Sequence, residues 1–117
     1  MKNKSFAVVG VSRDESKYGH QVFLNLKGRG LKVYPINPKI KKISRDITCY
    51  PSLKDLPETP DTVVTVVPPK ITVLIVKEAA ILGIKTIWMQ PGSESKEAID
   101  YCKRKNIKCI TNMCIIK

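Results

Sequence analysis

The chain is short of histidine, aromatic residues and long apolar runs, and each shortage removes a class of function. His20 stands alone, and Cys49, Cys102, Cys109 and Cys114 include no Cys-x-x-Cys spacing, so no zinc-ligand pattern is present and no metal is expected. Aromatic residues make up 6% of the chain, and neither a basic helix nor a base-stacking platform can be read from it. Nucleic acid is therefore a disfavoured partner. The longest apolar run, Ile71 to Val76, stops at Lys77, whereas a membrane span needs about 20 such residues. Behind the basic start Met1-Lys2-Asn3-Lys4, the run Phe6 to Val11 is too short for a signal segment, and Arg13, Asp14 and Glu15 follow at once. No membrane association and a cytoplasmic location are expected. There thiols stay reduced, and at least two of the cysteines read as small core residues.

What remains suits one globular domain. A chain of 117 residues with 43% hydrophobic and 26% charged residues can bury a core without staples. Twenty-one Lys and Arg against ten Asp and Glu give a formal charge of +11. That surplus favours an anionic partner (nucleic acid, an acidic membrane surface or a phosphorylated small molecule) without choosing among them, or else it is a solvated basic surface.

The periodicity predicts an alternation of strands and helices. Phe6-Ala7-Val8-Val9-Gly10 reads as a strand buried on both faces. Val22, Phe23 and Leu26 mark a helix from Gln21, ended by Gly28 and Gly30. Lys32 to Ile36 is a second strand, stopped by Asn37-Pro38. Lys39 to Tyr50 reads as irregular, and Pro51 to Leu56 as a short helical turn. The β-branched run Thr62 to Val67 predicts a central strand, broken by Pro68-Pro69. A helix over Ile71 to Leu82, a strand over Thr86 to Met89, a helical segment from Ser95 to about Asn106 and a last strand over Lys108 to Thr111 complete the chain. This rhythm implies an α/β fold: a doubly wound sheet of about five mainly parallel strands, with helices on both faces. Ligands on such sheets bind outside the carboxyl ends of the strands, at the switch point.

That rule selects the residues to inspect. The loop Gly10 to Gly19 precedes a helix whose N–H groups can face a phosphate; Ser12 can donate, and Arg13 and Lys17 carry charge. It is not Gly-x-Gly-x-x-Gly, because position 12 is serine and the loop is longer, so a plain strand-to-helix turn is the competing reading. A side chain at Gly10 is expected to block a ligand while leaving the fold largely intact. The second loop holds Asn37-Pro38-Lys39 where NAD-binding domains place a carboxylate, which suits a phosphorylated ribose, as in NADP or coenzyme A. Val67-Pro68-Pro69 presents a rigid apolar edge, or simply ends a strand. Gln90-Pro91-Gly92 supplies a side-chain amide and a turn. Cys114 follows the last strand, with a thiol either open toward the ligand edge or buried and inert. His20, in the first turn of its helix, reads as structural, because no partner is spaced for catalysis.

Phe6–Gly10, Ser12-Arg13, Lys17-Tyr18-Gly19, Tyr34 to Lys39, Tyr50 to Leu53, Val67-Pro68-Pro69, Ile87 to Gly92 and Met113-Cys114 together resemble the small stand-alone coenzyme A-binding proteins. These are similar to the N-terminal domain of the succinyl-CoA synthetase α subunit and of ADP-forming acyl-CoA synthetases. The resemblance spans nearly the whole chain, and implies that residues 1–117 are a single Rossmann-like CoA-binding domain. It implies that Gly10, Ser12, Arg13 and Lys17, with Tyr18 and Gly19 beside them, hold the phosphates. By the same resemblance Asn37, Pro38 and Lys39 meet the adenosine ribose and its phosphate, and Val67, Pro68 and Pro69 flank the adenine or the pantetheine arm. Gln90, Pro91 and Gly92 would line the far end, and Cys114 matches a cysteine near the thiol end.

The expected function is binding of coenzyme A or an acyl-CoA without independent catalysis. The alternatives are an NADP-dependent reductase or a ligase subunit acting with a partner chain; the synthetases' phosphohistidine and nucleotide-grasping domains have no counterpart in this sequence. A homo-oligomer or a partner enzyme stays open at this point.

Overall fold

The structure is a computed structural model that describes residues 4–116. The Met1–Asn3 part of the basic start therefore lies outside the described residues. Five strands form one parallel sheet: β1 (Ser5–Val9), β2 (Lys32–Ile36), β5 (Thr62–Thr65), β6 (Thr86–Met89) and β7 (Lys108–Ile110). Their spatial order is β2-β1-β5-β6-β7. The chain first winds outward from β1 to β2, then returns to the other side of β1 and continues from β5 to β7. The switch point thus lies between β1 and β5, whose registers pair Val9 with Thr65.

Alternation along the central strands builds two cores. Val8 and Val64 face helix α1 (Tyr18–Gly28), which contributes Val22, Phe23 and Leu26. Ala7, Val9, Val63, Ile87 and Met89 face the opposite layer. That layer is α2 (Pro69–Ile81), with Val73, Val76 and Ala79, and α3 (Lys96–Arg104), with Ala98 and Cys102. Strands covered on both faces are apolar along most of their length, which is why Phe6 to Val9 is legible as a continuous run. Phe23 is 1% exposed, and truncating it to alanine would cost about 3–5 kcal/mol.

Element ends follow local chemistry. Helix α2 begins at Pro69, ahead of the expected Ile71, because proline in a first turn forgoes an N–H that has no intrahelical partner. Helix α1 begins at Tyr18 rather than Gln21, and β5 ends at Thr65 rather than Val67, although the Val66 N–H still donates to the Val9 carbonyl at 2.9 Å. Helix α3 is capped by Ser95, whose Oγ accepts from the Ala98 N–H at 3.2 Å. Glu97 in its first turn and Lys103 and Arg104 in its last complement the helix dipole.

The segment expected to be irregular contains a small hairpin, β3 (Lys42–Ser44) and β4 (Ile47–Thr48). It forms because Ile43 and Cys49 bury their side chains against the α1 layer, and the Cys49 N–H closes onto the Lys41 carbonyl at 2.8 Å. A 3-10 turn over Leu53–Asp55 follows. None of the described helices is long and apolar enough to cross a membrane.

Candidate functional site at the carboxyl edge of the sheet

Two glycines set the geometry at the switch point. Gly10 closes β1 at φ +107, a conformation side chains rarely adopt, and a Cβ there would lie 2.2 Å from the Val66 carbonyl oxygen. Gly19, in the first turn of α1, faces the Gly10 carbonyl so closely that its own Cβ would lie 2.2 Å from that oxygen. The first loop is thus pressed between the end of β5 and the start of α1. The expectation that a side chain at Gly10 leaves the fold largely intact is corrected here: bulk at Gly10 meets backbone before it meets any ligand.

The rest of the first loop is held by short polar contacts. Asp14 accepts from the Ser16 N–H at 2.9 Å and from its hydroxyl at 2.7 Å, and these bonds hold the exposed Asp14 carboxyl below the usual range. Ser12 Oγ accepts from the Asp14 N–H at 3.0 Å. His20, 5% exposed, places Nδ1 2.6 Å from the Ser12 carbonyl oxygen, so the histidine fastens the loop to the helix, as its structural reading expects. Lys17 is the N-cap of α1 and makes no side-chain cap bond, and the side chains of Arg13 and Lys17 stand exposed beside that helix start. An uncapped helix start flanked by two cations is suited to an anion.

Asn37 joins the first and second loops. Its Nδ2 donates to the Val11 carbonyl at 2.9 Å, and its Oδ1 accepts from the Lys39 N–H at 2.9 Å. One amide hydrogen and one lone pair are engaged in this way, leaving one of each for a ligand. Pro38 and Lys39 are exposed at the turn that leads into the hairpin.

The third and fourth loops enclose a groove of about 310 Å³. Val66, Val67 and Pro68 form one wall, and Pro91, Gly92 and Ser93 form the other. Pro69 lies outside this lining, as the first residue of α2. Val66 and Ser93 are groove residues that sequence reasoning missed. The signal for Ser93 was available only in three dimensions: its hydroxyl lies 2.8 Å from Thr65 Oγ1 and 2.9 Å from the Gln90 carbonyl oxygen, and this pins the fourth loop against β5.

Gln90, Tyr18 and Cys114 meet at one point. Gln90 is fully buried, and its Nε2 donates to the Tyr18 oxygen at 2.8 Å and to the Cys114 sulfur at 3.4 Å. Its Oε1 accepts from the Ile115 N–H at 2.9 Å. Tyr18 Oη lies 2.8 Å from the same sulfur. Burial, then the hydrogen bond and charge of Cys114, push the Tyr18 phenol up to about 12. It therefore stays protonated near neutrality, within hydrogen-bond distance of the sulfur. The Cys114 thiol is half-buried, so it is neither wide open nor sealed in the core. The segment that carries it is strapped down by Trp88 Nε1, which donates to the Met113 carbonyl at 2.8 Å, and by Arg29, which donates to the Ile115 carbonyl at 2.5 Å.

The carboxyl edge of the sheet therefore offers an anion-suited helix start by the switch point, an apolar groove between the loops after β5 and β6, and a polar cluster around a thiol. A phosphate, an extended apolar arm and a terminal thiol fit that donor set.

Comparison with known proteins agrees with this chemistry. The model of the CoA binding domain family matches residues 4–117. The chain is 43% identical over 84 residues to an ADP-forming acetate–CoA ligase II of Archaeoglobus fulgidus, a match covering 70% of this chain and 12% of that protein. It is 30% identical to the α subunit of the ADP-forming acetate–CoA ligase II of Pyrococcus furiosus, over 96% of this chain and 27% of the relative. The chain thus spans a small part of each of these ligase relatives. A solved structure of a conserved hypothetical protein from Pyrococcus furiosus superposes with a TM-score of 0.90 at 35% identity, covering 97% of both chains. On the family match and these likenesses, the chain belongs to the CoA-binding domain family, with a Rossmann-like α/β fold.

Proposed function

We propose that this protein binds coenzyme A or an acyl-CoA across the carboxyl edge of its sheet, with the whole chain acting as one binding domain. The observation that carries the reading is the groove between Val66–Pro68 and Pro91–Ser93, which opens between the carboxyl ends of β5 and β6 and whose Val66–Val67 wall abuts the first loop at Gly10. In this reading the pyrophosphate is held by the first-turn N–H groups of α1, with Ser12, Arg13 and Lys17 adding hydrogen bonds and charge. Asn37, Pro38 and Lys39 meet the phosphorylated ribose. The pantetheine arm lies along the apolar walls of the groove, where burying methylenes is favourable by roughly 0.8 kcal/mol each. Gln90 is buried and bonds both Tyr18 and Cys114, and in this reading those two side chains face the coenzyme thiol. Family membership favours coenzyme A over NADP as the ligand.

A second reading, that of a ligase subunit acting with a partner chain, is favoured by the match to an acetate–CoA ligase α subunit. Native mass spectrometry of the purified protein, before and after a reductant, tests the first reading. It is expected to show a co-purifying nucleotide thiol, or saturable uptake of added coenzyme A. Failure to take up coenzyme A at any concentration would overturn it. Acyl-CoA formation only on adding a second chain would favour the ligase reading.

A further inference from the structure

The two faces of the sheet are covered unequally. Helices α2 and α3 pack on one face, whereas α1 packs on the other, against β1 and β2. Among the described residues no helix follows β7. The short segment 112–116 packs on the α1 side instead, and buries Ile115 in the cluster that holds Phe23 and Leu26. One helix and one short segment leave a gap. A pocket of about 330 Å³ stays open between them. Phe6 and Trp88 reach it from β1 and β6, Leu26 from α1, and Leu31 from the turn that follows. Met113, Cys114 and Ile115 line the remaining side.

The walls are apolar. Phe6, Leu31 and Trp88 are half-buried and Met113 is 54% exposed, so the pocket turns hydrophobic surface toward water. Trp88 Nε1 donates to the Met113 carbonyl at 2.8 Å, and Arg29 donates to the Ile115 carbonyl and to Asn25 Oδ1. These bonds fasten the rim of the pocket. Its lining includes no acidic side chain. Walls of this kind accept an alkyl group.

Position supplies the occupant. Cys114 lines this pocket and also meets Tyr18 Oη at 2.8 Å and Gln90 Nε2 at 3.4 Å, in the cluster proposed to face the coenzyme thiol. Phe6 and Leu31 lie at the opposite, amino ends of β1 and β2. A chain bonded to a sulfur beside Cys114 thus has an apolar path along the sheet face, past Trp88.

We propose that this pocket holds the acyl chain of an acyl-CoA, and that the chain is a medium-length alkyl group. The inference rests on the coenzyme A reading above and adds its substrate class. At roughly 30 Å³ per small group, the pocket has room for about ten non-hydrogen atoms. An octanoyl chain uses that room, and an acetyl group leaves most of it empty. Each methylene fully buried on these walls tightens binding by about fourfold.

The test titrates the full chain with coenzyme A, acetyl-CoA and octanoyl-CoA by calorimetry, and follows Trp88 emission in the same series. Trp88 is the sole tryptophan, so the emission reports this pocket alone. Octanoyl-CoA should bind about twentyfold or more tighter than coenzyme A, and acetyl-CoA within about threefold of it. Octanoyl-CoA should shift the Trp88 emission to the blue, and coenzyme A should not. In Leu31→Glu the ratio of octanoyl-CoA to coenzyme A affinity, taken within the variant, should fall by about tenfold or more. Met113→Glu, at an exposed position, gives the same comparison if Leu31→Glu does not fold. Free octanoate should need at least about tenfold more ligand for the same emission shift, because nothing tethers it to the sheet edge. Coenzyme A and octanoyl-CoA of equal affinity would overturn the proposal and leave the coenzyme A reading standing. So would tighter octanoyl-CoA binding with an unchanged Trp88 emission, or octanoate as effective as octanoyl-CoA. Failure of all three coenzyme A compounds to bind would overturn both.

Discussion

The Tyr18 hydroxyl lies 2.8 Å from the Cys114 sulfur, although 96 positions separate the two residues. Gln90 holds them there from below, and the same amide satisfies the Ile115 N–H. Replacing Gln90 by leucine leaves that buried N–H without its acceptor and should cost about 1–3 kcal/mol. Hydrogen exchange of the Ile115 amide should then quicken, while the amides of β1 and β5 keep their protection. Unchanged exchange at Ile115 would remove Gln90 from this role.

Tyr18 supplies a pH signature. Its phenol is pushed up to about 12, first by burial and then by Cys114. The ordinary value is about 10. A group whose neutral form is favoured by folding contributes stability that is fully present below about pH 10. That contribution is lost as pH rises through the folded value of about 12. Because Tyr18 is 37% exposed, solvent screening keeps the effect small. Phenolate absorbance in a titration of the wild type minus Tyr18→Phe should show one late step near pH 12. A step at the ordinary tyrosine value would contradict the burial of the phenol together with its contact with Cys114.

Gly10 and Gly19 should behave as packing residues even in the absence of ligand. Gly19→Ala places a methyl group 2.2 Å from the Gly10 oxygen. Overpacking of this kind costs about 1–3 kcal/mol. Gly10→Val adds strain at positive φ, and should cost at least as much. Denaturant melts of both variants without coenzyme A check this. A wild-type midpoint in Gly10→Val would mean that the loop relaxes freely.

Cys114 allows a covalent readout of the thiol end. In the proposed pose the coenzyme sulfur approaches the half-buried Cys114, which the buried Gln90 amide holds in place. Incubation with coenzyme A disulfide should form a mixed disulfide at Cys114 in preference to Cys49, which is 4% exposed and whose thiol is pushed up by burial. Peptide mapping reads the outcome. Equal labelling of Cys49 and Cys114 would place the coenzyme thiol elsewhere.

The sheet was legible because its central strands are largely apolar on both faces and its strands are followed closely by Gly10, Asn37-Pro38, Pro68 and Pro91. Local chemistry announces such boundaries. The groove was legible in part: Val67, Pro68, Pro91 and Gly92 line it as strand-end residues should. Long-range satisfaction of polar groups was not. Nothing near Gln90 in sequence reveals that its amide bonds Tyr18 and Ile115, and nothing near Gly10 reveals Val66 across the sheet. The β3–β4 hairpin was missed because two buried side chains, Ile43 and Cys49, leave too short a period to read.

In the proposed pose the ribose end of the site rests on Lys39. Loss of one charge-assisted hydrogen bond costs about 1.5–3 kcal/mol, so dephospho-coenzyme A should bind more weakly than coenzyme A by that amount. Lys39→Ala should narrow the difference. Equal affinities for the two ligands would remove Lys39 from the site and leave the groove untouched.

The most direct measurement is isothermal calorimetry of coenzyme A into the wild-type chain, repeated with Arg13→Ala/Lys17→Ala. The account predicts saturable binding at one site per chain, weakened at least tenfold in the double variant, because two cations at the α1 start have been removed. Absence of saturable binding to the folded wild-type chain, or an affinity unchanged by loss of both cations, would contradict it.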